Sequence, residues 1–203
     1  MTAITPLPRD ANGQLSAFAN SSGQAAAVQM DATGNVPIAV AGGGALASGS
    51  VTRPANTTAY AAGEVIGTAT TDVIAIAGVA RLPGGSGLVT DALVIDQGGA
   101  AAAVALEVYL FSVTPTAQAD QTAFALSSTD LAGLIAIVPL NVSYVTNAGA
   151  GTTGSRVYTA TGINTGFVCA SGSEALYAVL VVRAAYTPVS GEQFTVVLKV
   201  VQD

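Results

Sequence analysis

VALEVYLFSV, at residues 104–113, is the stretch that most clearly predicts the fold of this chain. Successive side chains of a β-strand point to opposite faces, so its alternation puts Glu107 and Tyr109 on one face. The opposite face carries only aliphatic side chains, namely Val104, Leu106, Val108 and Leu110. The stretch therefore predicts a strand with one face in a hydrophobic core.

The rest of the second part of the chain has the same character. Segments rich in Val, Ile, Leu and Tyr alternate with turn clusters such as PGGSG, DQGG, TPTAQAD and TPVSG. Short strands at this spacing favour a sandwich or barrel over alternating strands and helices. We therefore expect an all-β, antiparallel β-sandwich over residues 49–203, with strands at 73–82, 87–96, 104–113, 134–145, 175–186 and 192–202.

One helical turn is predicted within this region. Ser127, Ser128 and Asp130 precede LAGL, and such side chains favour the first turn of a helix.

Residues 1–48 have a different composition. Turn dipeptides recur at Asn12-Gly13, Ser22-Gly23 and Thr33-Gly34, and large apolar side chains are too sparse to close an independent core. We expect an extended N-terminal arm of short hairpins. AGGGALASG, at 41–49, predicts a flexible hinge around Gly42, Gly43 and Gly44, because glycine runs lose the most entropy on ordering.

The composition points to assembly. Hydrophobic residues make up 51% of the 203 residues, while charged residues make up 9%, against about 25% in ordinary soluble domains. Charged side chains keep a protein soluble and monomeric, so a chain with so few is suited to self-association. Nucleic acid is not an expected partner, because the six basic residues are scattered.

Catalytic chemistry has little support in the sequence. The absence of histidine excludes Ser-His-Asp and Cys-His arrangements and most metal sites. The single lysine, Lys199, lies in an alternating strand where a solvated face is expected. The pairs Asp91 with Asp96 and Asp120 with Asp130 flank turns, where aspartate forms local hydrogen bonds, although a glycosidase pair or a calcium site stays open as a minor alternative. We expect no catalytic residue, no metal site and no cofactor.

Two further features have ordinary structural explanations. GAGTTG contains Gly149, Gly151 and Gly154, with Glu174 twenty residues after the last of them, but no helix pattern follows it as a dinucleotide site requires. We expect a glycine-rich loop there. The single cysteine, Cys169, lies in the strand-like GFVCA and is expected to be a small buried side chain.

Three segments carry a family resemblance. They are VTRPANTTAYAAGEVIG (51–67), EVYLFSVTPTAQADQTAFALSSTDLAGLIAIVPL (107–140) and ALYAVLVVRAAYTPVSGEQFTVVLKV (175–200). Together they resemble the decoration, or cement, proteins found on the capsids of tailed bacteriophages. The resemblance implies a jelly-roll-like sandwich. Each segment also has an ordinary structural interpretation as strand, turn and strand, in which Tyr60 and Phe124 fill the core and do not contact a ligand. Residues 1–48 lie outside the resemblance.

The resemblance implies a virion structural protein. Its expected partners are the major capsid protein and further copies of itself, and its expected location is the exterior of the capsid after synthesis in the bacterial cytoplasm. We expect a homotrimer, because capsid lattices offer three-fold sites and a sparsely charged sandwich favours burial of its sides. No secretory signal or stretch of about 20 apolar residues is present, so a membrane is not an expected partner. A head-fibre or tail module that binds host-surface carbohydrate is the alternative.

Overall fold

Strands dominate the computed structural model, which describes residues 18–19, 25–26, 43–98, 103–145 and 155–203. Within the N-terminal unit, β1 (Phe18–Ala19) pairs antiparallel with β2 (Ala25–Ala26). The remaining predicted arm up to residue 42 lies outside the described residues. Every described strand pair is antiparallel, as the sequence predicted.

From residue 43 onward, the strands form two sheets. Sheet I contains, in spatial order, β3 (Gly43–Thr52), β12 (Gln193–Gln202), β6 (Ser86–Asp96), β10 (Arg156–Val168) and β9 (Asn141–Val145). Sheet II contains β4 (Val65–Ile66), β11 (Leu176–Val182), β7 (Leu106–Phe111) and β8 (Leu134–Pro139), and β5 (Ile74–Ile76) also pairs with β11.

The strand order is that of a jelly roll. With β4 and β5 taken as one segment and β9 set aside, eight segments follow one another along the chain. Sheet I has the first, eighth, third and sixth of these segments as neighbours, which are β3, β12, β6 and β10. Sheet II has the second, seventh, fourth and fifth as neighbours, which are β4 with β5, β11, β7 and β8. This order is the double Greek key of a jelly-roll sandwich. β9 is an additional edge strand beside β10.

One hydrophobic core joins the two sheets. Phe194 and Leu198 from sheet I and Leu180 from sheet II are fully buried in it. The aliphatic face predicted for 104–113 is confirmed, since its four members belong to this core, namely Val104, Leu106, Val108 and Leu110. The predicted helical turn is also confirmed. It is α1 (Ser128–Gly133), with Ser127 as its N-cap and Asp130 completing a capping box.

Two strand predictions needed correction. The single strand predicted over 134–145 is two strands, because the chain passes from sheet II to sheet I at Leu140, whose N–H donates to the Leu106 carbonyl. No strand was predicted over 156–168, where the chain forms the thirteen-residue strand β10. Its turn residues form a bulge between Thr161 and Thr165, where Gly162 and Asn164 have φ values of 69° and 49°.

The predicted hinge over 41–49 is wrong for residues 43–49, which belong to β3. They pair in continuous register with β12, from Gly43 opposite Gln202 to Gly49 opposite Val196. Glycine serves close packing here, because a Cβ on Gly49 would lie 2.3 Å from the Ala75 carbonyl oxygen. Along the sequence, the boundary between the two compact units of the chain falls between residues 41 and 42.

Truncation at two positions tests this boundary. A chain lacking residues 1–41 keeps all of β3, so we expect a cooperative thermal melt close to that of the full chain. A chain lacking 1–48 loses Ala47 from the core and most of the pairing between β3 and β12, so its melting temperature should be several degrees lower. Equal melting temperatures for the two truncated chains would contradict the assignment of β3 to the sandwich.

Candidate interaction surface

A buried ion pair lies at the end of the sandwich where β3 finishes. The Arg53 side chain is fully buried, and its Nη2 lies 3.1 Å from Asp120 Oδ2. The Tyr60 hydroxyl donates to Asp120 Oδ1 at 2.5 Å and accepts from Arg53 Nε. The Gly67 N–H donates to the same Asp120 oxygen at 2.9 Å. Burial raises the pKa of Tyr60, so its hydroxyl remains a donor. Three loop segments are thereby tied together.

A second buried cluster adjoins the first. Tyr186 stacks on Tyr60 with ring centroids 6.2 Å apart, and its hydroxyl donates to Glu192 Oε1 at 2.5 Å. Burial, opposed by the Tyr186 hydrogen bond and reinforced by the Asp96 carboxylate, raises the pKa of Glu192 to about 7. On its other side, Asp96 lies 3.5 Å from the Arg156 guanidinium. Within this buried carboxyl pair, the Glu192 carboxyl therefore stays protonated below neutral pH.

Asp130 and Asp72 organise the segment before α1. Asp130 accepts from the N–H and side chain of both Ser127 and Thr116, and these hydrogen bonds, above all the one from the Ser127 hydroxyl, lower its pKa to about 2. Asp72 is fully buried and accepts from the Gln118 N–H at 2.8 Å. Burial raises its pKa. Both carboxylates therefore fix backbone in the chain's own loop.

The predicted catalytic candidates do not converge. Lys199 Nζ lies 3.9 Å from Asp91 Oδ2 on the outer side of sheet I, with about half of the lysine side chain exposed, which confirms the predicted solvated face. Asp120 and Asp96 lie in two different buried clusters, in which Asp120 pairs with Arg53 and Asp96 pairs with Arg156. Sequence reasoning missed these pairings because the partners lie 60 to 67 residues apart along the chain.

The remaining predicted positions have mixed outcomes. Tyr60 and Cys169 are buried in the main core, as predicted. Phe124 packs instead against a second, smaller cluster. Glu174 is exposed, and GAGTTG lies outside the described residues. Over 43–98, 103–145 and 155–203, no three acidic or cysteine side chains converge as a metal site, and no described helix could cross a membrane.

An open groove of about 480 Å³ lies between β8 and β10. In the described part of the chain, the walls of the groove carry hydroxyl, amide and aliphatic groups and no titratable side chain. The main lining residues are Ile137, Asn141, Thr159, Thr161 and Ile163. Such a lining can hold a neutral polar chain, but it offers no general acid or base.

The outer face of sheet II is covered by the chain itself. The segment between β7 and α1 runs back along β4, with the Phe124 N–H donating to the Gly63 carbonyl at 2.8 Å. Its side chains pack on the sheet, and the Phe124 ring meets Tyr109 edge-on with centroids 4.5 Å apart. Arg183 closes the rim by pairing with Glu107. The apolar outer face of sheet II is thereby buried in a second small hydrophobic core.

The outer face of sheet I has no such cover in the described part of the chain. The strand register brings aliphatic side chains of β3, β6 and β12 side by side on it. Leu46 is 71% exposed there. We call this surface the open face, and its aliphatic members are Leu46, Leu88, Leu93, Ile95, Val197 and Val201. The ion pair of Lys199, opposite Leu46, with Asp91 crosses the middle of this face. Exposed aliphatic side chains on both sides of that pair favour an interaction site.

No protein-family model matches the chain, and no curated protein is significantly similar to it.

The buried carboxyl pair predicts a pH-dependent stability. The pKa of Glu192 rises from 4.5 to about 7 on folding, so its contribution is complete below pH 4.5 and is lost as the pH rises through 7. The loss amounts to roughly 3 kcal/mol. Glu192→Gln should therefore flatten the fall in melting temperature between pH 5 and pH 8. The exposed control Glu174→Gln should keep the wild-type slope, and equal slopes for Glu192→Gln and wild type would refute this assignment.

The Arg53 cluster predicts a graded series of stabilities. Asp120→Asn leaves a buried guanidinium without its counter-charge, so we expect a loss of about 3 to 5 kcal/mol. Tyr60→Phe removes one hydroxyl and should cost about 1 to 3 kcal/mol. Asp91→Asn, which breaks the exposed pair with Lys199, should cost less than about 1 kcal/mol. Urea unfolding measures all three, and an Asp120→Asn loss as small as that of Asp91→Asn would contradict a buried ion pair.

Proposed function

We propose that this chain is a virion structural protein that decorates the outside of a tailed-phage capsid and stabilises the shell. The observation that carries the proposal is the open face, a largely aliphatic surface that has no cover in the described part of the chain, whereas the outer face of sheet II is covered by the chain's own loop. The jelly-roll topology agrees with the fold that the family resemblance implies. The major capsid protein is the proposed partner.

The mechanism we propose is stabilisation by binding. A protein that binds the assembled shell, and not the free subunits, shifts the equilibrium towards the shell by mass action. Contacts with several subunits add avidity without a strong individual contact. The buried charged clusters keep the sandwich rigid in this role, and no catalytic step is part of it. The homotrimer expected from the sparse charge remains a prediction, since shells offer three-fold sites.

A lysine placed in the middle of the open face tests the proposal. Val197 lies between Ser48 and Leu93 on the outer side of sheet I, so Val197→Lys should leave the melting temperature nearly unchanged. On capsids of the encoding phage stripped of this protein, we expect the variant to lose co-sedimentation and to lose the rise in shell melting temperature that the wild type gives. Leu131→Lys, an exposed position on α1, is the matched control and should bind as the wild type does.

Wild-type protein that fails to bind stripped capsids would overturn the decoration role. Binding to host-surface polysaccharide in that case would favour the alternative of a carbohydrate-binding module. Full binding by Val197→Lys would keep the role and move the contact away from the open face.

A further inference from the structure

Within the described part of the chain, the backbone of β3 has a free hydrogen-bonding edge. In an antiparallel pair, consecutive residues direct both their N–H and C=O alternately to one neighbour and to the other. The Arg53 N–H donates to the Glu192 carbonyl at 2.9 Å, so odd-numbered residues at this end face β12. The register between β3 and β12 is continuous from 43 to 52. The groups that point away from β12 therefore belong to the even-numbered residues Gly44, Leu46, Ser48, Ser50 and Thr52.

The neighbouring strand confirms this parity. The Gln97 N–H donates to the Gln193 carbonyl at 2.9 Å, so odd-numbered residues of β12 face β6 and its even-numbered residues face β3. Within the described part of the chain, β3 pairs with β12 alone, and all five even-numbered residues of β3 are exposed.

This edge lacks the features that usually protect an edge strand. Exposed edges are commonly guarded by lysine, proline, a bulge or a very short strand. β3 has ten residues without a charge, a proline or a register shift, in the sequence GGALASGSVT. Of its side chains beside the free edge, only Leu46 is large. Such a strand is suited to accept another strand.

We infer that β3 pairs with β3 of a second copy of this chain, antiparallel, about a two-fold axis at Ser48. In this register, Ser48 lies opposite Ser48 of the second copy, Leu46 opposite Ser50, and Gly44 opposite Thr52. Each of these pairs exchanges two hydrogen bonds, so about ten bonds form and every free group from 44 to 52 is satisfied. Two five-stranded sheets become one continuous sheet.

The side chains fit the same register. On the core side, Ala45 lies opposite Val51 of the second copy and Ala47 opposite Gly49, so small groups meet small or medium ones. On the outer side, no charged residue lies on either β3 strand, and like charges are therefore not brought opposite each other. The open faces of the two copies also join into one surface across the axis.

The symmetry of the edge is what selects a second copy as the occupant. The free groups are centred on Ser48, and an identical strand satisfies all of them with no overhang. This two-fold contact does not depend on the decoration role, and it differs from the three-fold contact expected from composition. The molar mass of the assembly distinguishes the two contacts. The two-fold contact alone gives an assembly of two chains, the three-fold contact alone gives three chains, and both contacts together give six.

The full chain at high micromolar concentration should have the molar mass of two chains, or of six, by light scattering. In the associated form, amide exchange should be slow at Leu46, Ser48 and Ser50, and dilution to single chains should make it fast. The odd-numbered amides of β3 should be protected in both forms. Unprotected even-numbered amides in an associated form, or a chain that stays single at every concentration, would overturn the inference. So would protection that arises only on stripped capsids, which would assign the edge to another protein.

Substitutions at Ser48 test the axis itself. Ser48→Pro removes an N–H that points away from β12, so the sandwich should keep its melt while the two-chain species is lost. Ser48→Ala keeps the N–H and should associate as the wild type does. Should Ser48→Pro fail to fold, cross-linking decides the question.

Cysteines at two positions make that cross-linking test specific for the register. Ser48→Cys places the two cysteine Cα atoms about 5.5 Å apart across the axis, which brings the thiols within reach of a short cross-linker with two thiol-reactive groups. Ser50→Cys places them about 14 Å apart along the strands and should not cross-link. The native Cys169 is buried and does not compete. Equal cross-linking at both positions, or none at Ser48→Cys, would refute the two-fold pairing.

Discussion

The ion pair between Arg53 and Asp120 is the interaction on which the arrangement of the sandwich end depends. The core is built largely from Ala, Val and Leu, whose packing tolerates many small shifts. A buried guanidinium does not, because any loop arrangement that separates it from its carboxylate leaves a charge uncompensated, at about 3 to 5 kcal/mol. Through Tyr60 and Tyr186, the pair is linked to Glu192 at the start of β12.

This network also explains the segments that carry the family resemblance. Arg53 and Tyr60 lie in 51–67, Asp120 in 107–140, and Tyr186 and Glu192 in 175–200. Residues from all three segments therefore meet in the linked buried clusters rather than at a surface. In this structure the three segments close one end of the sandwich, so the functional proposal needs the open face as a separate support.

The strands could be predicted from the sequence because aliphatic and β-branched residues alternate within them. The exceptions arise where local composition and tertiary pairing disagree. Gly162 and Asn164 suggest a turn, yet the ladder with β6 continues around them as a bulge. GGALASG suggests a hinge, yet β12 supplies a partner for its backbone and Ala75 requires a small residue at Gly49. The buried ion pairs could not be predicted, since a carboxylate near a turn is ordinarily explained by local hydrogen bonds.

The placement of charge connects the interior to the surface. The chain has only 6 basic and 12 acidic residues, and six of those in its described part are buried, namely Arg53, Asp72, Asp96, Asp130, Arg156 and Glu192. The charges that specify the fold are therefore absent from the surface, where charge would oppose association. In the described part of the chain, sheet I has a largely aliphatic outer face, crossed by the pair of Lys199 with Asp91, and an unguarded edge. Specificity of association must then come from backbone register and from the shape of a flat sheet, because the remaining exposed charges are too few and too scattered to select a partner.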